Sequence, residues 1–166
     1  SGANTYEGGT FLTSGGLRLV NDGALGMGAL TASDSTLIEY ANGVTIGNAI
    51  ALNGVVELSP TTGTSEQTGL ISGDGTLNKV GTGLLLLDGA NTYTGGTQIF
   101  EGTIAIGSDA ALGDEGGAIR ITGPNGTLRT TAEFTLYHDI VLDASGSIDT
   151  DANISTLMYG YVSGAG

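Results

Sequence analysis

The chain has no cysteine and no tryptophan, two prolines, one histidine and only four basic residues among 166. Without cysteine there is no disulfide framework and no thiolate-ligated zinc or iron–sulfur site. Arg18, Lys79, Arg120 and Arg129 stand against 17 acids, and the net charge of −13 leaves no basic footprint for nucleic acid. Charged residues make up 13% of the chain, about half of the roughly 25% of an ordinary domain. A hydrophobic share of 39% still argues against a charged disordered tail. The longest fully aliphatic run is Leu84–Leu87, far short of the ~20 apolar residues of a membrane helix, so this segment is not expected to be membrane-embedded. Ser1-Gly2-Ala3-Asn4 has neither the basic start nor the apolar stretch of a signal peptide. If the protein is exported, the chain is expected to be an internal piece of something longer.

Glycine, in contrast, is abundant, with 31 residues. It lacks the strict every-third spacing and the abundant proline of collagen. The chain also repeats itself. Gly2-Ala3-Asn4-Thr5-Tyr6 returns as Gly89-Ala90-Asn91-Thr92-Tyr93, a spacing of 87. At the same spacing Gly9-Thr10 matches Gly96-Thr97, Gly15 matches Gly102, and Ala24-Leu25-Gly26 matches Ala111-Leu112-Gly113. Val44-Thr45-Ile46 then answers Phe134-Thr135-Leu136, and Ser72-Gly73-Asp74-Gly75 answers Ser163-Gly164-Ala165-Gly166. The domain reading is one segment, residues 1–166, made of two copies, 1–87 and 88–166. The second copy stops 12 residues early, where an equivalent of Thr76–Leu87 would follow.

Within each copy apolar and polar residues alternate, as in Leu17-Arg18-Leu19, Ile119-Arg120-Ile121 and Phe134-Thr135-Leu136. Period 2 with much threonine predicts strands. Asn42-Gly43, Asn53-Gly54 and Asn125-Gly126 are turn signals. No apolar face persists through three helical turns; one or two turns near Ala110-Ala111-Leu112 are the most the pattern allows. Among all-β architectures an 87-residue unit suits about four rungs of a parallel β-helix at ~22 residues each. Eight such rungs make a rod roughly 35–40 Å long.

The stretch from Gly73 to Gly107 carries Gly75-x-Leu77-x-Lys79-x-Gly81-x-Gly83-x-Leu85-x-Leu87, followed by Gly89-Ala-Asn-Thr-Tyr-Thr-Gly-Gly-Thr97. It resembles the passenger-associated transport repeat of bacterial autotransporters, and residues 2–20 repeat its second half. Glu7 departs from the threonine seen at Thr94, and Leu85 is read as an aliphatic residue at an outward position. The resemblance implies a right-handed parallel β-helix, an all-β fold, in the passenger of a type V secreted surface protein. A translocator outside this segment would anchor it. It further implies an extracellular, non-enzymatic adhesin segment that acts as a stalk and aids passenger folding and transport, in a class linked to virulence.

Candidates for chemistry are few. His138 adjoins Asp139, but neighbours on a strand point to opposite faces, so a surface or turn histidine is expected. The acid groups Asp143, Asp149 and Asp151, and Asp109, Asp114 and Glu115, are the candidates for a carbohydrate-active enzyme. No tryptophan and few bases accompany them, so solvated loop acids are expected instead. Asp149-x-Asp151-x-Asn153 opens like a calcium loop, yet Ile154 replaces the required glycine. No catalytic, cofactor-binding or metal residue is assigned, and no cofactor is expected. Tyr6 and Tyr93 are expected on one face, about 19 Å apart, with hydroxyls in water. Tyr159 and Tyr161 share strand parity, which fits either an exposed binding strip or the core. The partners expected are a host or bacterial surface ligand, neighbouring repeats end to end, or further copies in a self-assembling fibre or biofilm.

Overall fold

A computed structural model describes residues 2–143 and 145–165. Ser1 and Gly166, the outer ends of the two expected copies, and Ala144 lie outside the described residues. The described chain is all-β apart from one 3-10 turn, Asp109–Leu112, at the place where the sequence allows a turn of helix.

Every strand pairing is parallel, and the strands stack on three faces. The first face carries Thr10–Leu12, Leu30–Ser33, Ile50–Asn53 and Ile71–Gly73. The second is an unbroken column in which Gly15, Thr36, Val56, Leu77, Thr97, Ile119, Ile140 and Val162 lie one above another, at steps of 20 to 22 residues. The third carries Thr45–Ile46, Thr64–Gln67 and Leu84–Leu87, then the latter halves of the long strands Thr97–Ile106 and Ile119–Thr130, and finally Ser147–Thr150. The chain is therefore a parallel β-solenoid of about seven turns, consistent with about eight rungs.

Alternation places one residue in two inside. Along Thr36–Tyr40 the buried residues are Thr36, Ile38 and Tyr40. The core is a narrow stack of such residues, with Ile38, Leu58, Ile99 and Ile121 all excluded from solvent. The same rule corrects the expectation for Leu85. Leu85 and Leu87 point inward, and Leu84 and Leu86 are the half-buried outward residues. Counting in twos from the inward Leu77 assigns the same parity.

Two turn signals are met by left-handed glycines, Gly43 and Gly54. Asn125-Gly126 is not a turn. It lies inside Ile119–Thr130, just past a bulge where Ile121 pairs with Ile99 and Asn125 with Glu101.

The 87-residue spacing is not a whole number of turns. Four steps up from Gly15 lead to Thr97, whereas the sequence equates Thr97 with Thr10. The segment Thr10–Leu19 consequently lies across the first and second faces, and its counterpart Thr97–Ile106 across the second and third. Tyr6 and Tyr93 therefore do not share a face. Thr92 and Thr94 donate backbone N–H groups to Ile71 and Gly73, so Tyr93 continues the first face, above Phe11, Thr31, Ala51 and Ser72. Tyr6 instead lies under Met27, whose N–H it accepts at 2.9 Å.

The parity assignment has a direct test. Leu85→Ala empties part of the closed core and should cost about 2–5 kcal/mol. Leu86→Ala removes a partly solvated group and should cost under about 1 kcal/mol. Urea unfolding of the two variants checks this; equal losses would overturn the inward register.

Candidate functional site

The sequence motif concentrates its unusual residues at one corner of the prism, between Lys79 and Gly113. Strand pairing lapses on the first face above Ile71–Gly73, and side chains take over its hydrogen bonds. Buried Asn91 accepts the Ile71 N–H on Oδ1 at 2.7 Å and donates from Nδ2 to the Ala111 carbonyl at 2.6 Å. One amide thus joins three successive rungs. Tyr93, also buried, shares a 2.6 Å hydrogen bond with Thr97 Oγ1, and burial pushes its hydroxyl pKa well up. The expected water-exposed hydroxyl is not found on Tyr93, whereas Tyr6, 41% exposed, shares a 2.5 Å hydrogen bond with Thr10 Oγ1. Gly113 closes the corner from above at φ 84, and a Cβ there would lie 2.4 Å from the Tyr93 carbonyl oxygen.

The equivalent corner at residues 2–26 repeats these bonds. Asn4 Nδ2 donates to the Ala24 carbonyl at 2.7 Å. Gly26, at φ 62, leaves 2.5 Å between a built Cβ and the Tyr6 carbonyl oxygen. Local chemistry is conserved between the copies while their place on the prism differs.

Lys79 is the residue whose role the sequence reading left unassigned. It shares the inward parity of Leu77 and is fully buried. Its Nζ donates to three carbonyls, Val80 at 2.9 Å, Gly81 at 2.6 Å and Glu101 at 2.9 Å. Three N–H donors meet three acceptors, which ties the turn at Gly81 to the rung above. Burial pulls the Lys79 pKa down to about 8, and the Glu101 charge opposes that shift.

The candidate chemical residues are dispersed. His138 is not on the surface; it is 1% exposed, and its Nδ1 lies 2.9 Å from Asp109 Oδ1 rather than against Asp139. Asp109 also accepts the Tyr137 N–H. Asp151 pairs with Arg129 at 2.5 Å, Asp149 accepts the Thr150 N–H, and Asp114 accepts the Gly116 N–H. Each of these acids thus has its own partner rather than a second carboxylate. Among the described residues no group of three potential metal ligands occurs, and no helix is long and apolar enough to cross a membrane. Tyr159 and Tyr161 are exposed.

The passenger-associated-transport-repeat family matches residues 1–19 and 77–106, which hold the Lys79 cradle and the Asn4, Tyr6, Asn91 and Tyr93 of the two corners. Over 96 residues the chain is 41% identical to the Adhesin BmaC autotransporter of Brucella suis biovar 1 (strain 1330). The match covers 58% of this chain and 3% of that protein. No solved structure matches significantly.

The Lys79 cradle predicts a pH dependence. Its folded pKa, about 8, lies below the ordinary 10.5, so from about pH 8 upward the unfolded chain holds more protons. Stability should rise with pH from about 8 to 10, by at most about 1.4 kcal/mol per pH unit. Above pH 10 the buried Tyr40 and Tyr93, whose pKa values are raised from 10.0, reverse the trend. Denaturant midpoints at stepped pH should show this rise in the wild type and a flat line in Lys79→Met. A matching rise in the variant would remove the assignment.

Proposed function

We propose that this autotransporter passenger segment, extracellular and either held at the cell surface or secreted, works as a non-enzymatic rod in an adhesin. As a stalk it sets distal binding regions away from the cell, and its rungs help the passenger fold as it emerges. The observation that carries this reading is the unbroken second face, eight strands stacked in parallel at steps of 20 to 22 residues. Such a stack transmits length. Each completed rung also presents a row of N–H and C=O groups on which the next can pair, so order propagates without a distant nucleus. The corner side chains support the same reading, because Asn91 and Lys79 bond along the axis rather than into a cleft. The scattered partners of the acids and the adhesin name of the matched protein favour a binding rather than a catalytic parent. The chain spans a small fraction of that relative.

The test is made in the parent passenger. Removing whole rungs, for instance the residues between matching points of the second face, should preserve surface display and protease resistance while shortening the reach of the displayed tip. Replacing the segment by a glycine–serine linker of equal residue count should abolish protease resistance and lower display. Full display and reach with the flexible linker would sink the stalk and folding roles together.

A further inference from the structure

One edge of the rod, near the upper rungs, carries a feature that stalk function does not use. Tyr137, Tyr159 and Tyr161 are 48%, 75% and 84% exposed. Tyr137 and Tyr159 belong to successive rungs, since Thr135 and Leu136 pair with Leu157 and Met158. Their ring centroids lie 5.6 Å apart with planes tilted by 52°. Tyr161 follows Tyr159 by two residues, with Gly160 between them.

Each end of this tyrosine row is tied to a carboxylate from a lower rung. Asp109 Oδ1 accepts the Tyr137 N–H at 3.0 Å and faces His138 Nδ1. Asp139 Oδ1 accepts the Tyr161 N–H at 2.8 Å. In both, the second oxygen has no hydrogen-bond donor among the described residues, and neither acid pairs with a lysine or arginine there. The Asp109 side chain is only 16% exposed beside buried His138, so Asp139 is the exposed, backbone-pinned carboxylate at this edge, in a chain of net charge −13.

We propose that this edge is a docking surface for an arginine-bearing segment of a protein partner. The guanidinium is planar and weakly hydrated; it stacks on aromatic faces and donates several N–H bonds to a carboxylate at once. Exposed Tyr159 and Tyr161 together with the pinned Asp139 offer both halves of that contact. The negative field of the chain steers such a segment inward and repels anionic ligands. Exposed tyrosine also supplies contact area at small entropic cost, which is why it is frequent in protein-binding surfaces. This inference is independent of the stalk reading.

The probe is a capped peptide of alternating arginine and glycine, titrated into the 166-residue chain at physiological salt. Counterparts carry lysine or the neutral isostere citrulline. Saturable binding of the arginine peptide is expected, with Tyr159→Ala/Tyr161→Ala and Asp139→Asn each about tenfold weaker. Asparagine keeps an acceptor for the Tyr161 N–H, so Asp139→Asn reports on charge rather than folding. In the wild type, ring-proton shifts should move for Tyr137, Tyr159 and Tyr161 and stay still for the buried Tyr40 and Tyr93. That measurement serves where the double variant folds poorly. Equal binding by the citrulline peptide, binding unaltered by the substitutions, or ring shifts elsewhere would overturn the proposal. So would a silent peptide alongside binding of neutral oligosaccharides or phosphatidylcholine vesicles at the same edge.

Discussion

The axial hydrogen bond between one rung and the next is the constraint on which the structure depends. Each residue's environment is set by what lies 20 to 22 positions before and after it, far more than by its neighbours in sequence. Where strands pair, the backbone meets that demand directly. Where pairing lapses at a corner, a polar side chain must do so, and the inward asparagines, glutamine and lysine are there for that reason. Asn48 Nδ2 donates to the Gly26 and Gly28 carbonyls, and Gln67 Nε2 donates to the Asn48 carbonyl. Tyr40 in turn donates its hydroxyl to Gln67 Oε1 at 3.1 Å. A buried polar group left unsatisfied costs on the order of 1–3 kcal/mol, so these contacts hold the corners in register. The apolar core is only a narrow stack, so stability accumulates by rung.

The mismatch between the repeat and the turn separates local from global determinants. The two tyrosine corners share their hydroxyl contact with threonine, their asparagine bond to the rung above and their left-handed glycine. They differ in burial: Tyr6 is 41% exposed and Tyr93 is fully buried. Local sequence shapes the turn in both. A displacement of one face per copy also means that the corners face different directions around the rod.

Strand parity follows from counting in twos along Leu77, Lys79, Leu85 and Leu87, and the outward reading of Leu85 goes against that count. The solenoid class was readable too, because the glycine content, the lack of helical periodicity and the long repeat exclude the alternatives. Azimuth was not readable. Placing Tyr93 above Phe11 requires the sum of four separate rung lengths, each free to be 20, 21 or 22, and small errors accumulate to a whole face. His138 failed for a related reason. Alternation separates it from Asp139, but its real partner, Asp109, lies one rung below, at a distance no local pattern specifies. Asn125-Gly126 failed because a bulge, rather than a reversal, absorbs the turn-forming pair.

The same axial logic accounts for four of the acids, among them Asp109 from the candidates for chemistry. Asp22 Oδ1 accepts the Thr45 N–H, Asp34 Oδ1 that of Val55, Asp109 Oδ1 that of Tyr137 and Asp139 Oδ1 that of Tyr161. In every case a carboxylate on one rung caps a backbone donor on a higher one. Hydrogen bonding to the charged form favours it, and the Asp34 pKa is lowered chiefly by its bond to Val55. A carboxylate spent in this way holds a fixed direction along the rod, and only its outer oxygen remains for a partner. Catalysis by paired carboxylates needs two such groups converging on one bond, which caps strung along an axis do not provide. Binding needs only that pinned negative charges stand beside a suitable surface. The constraint that stacks the rungs therefore also fixes these carboxylates one by one along the rod.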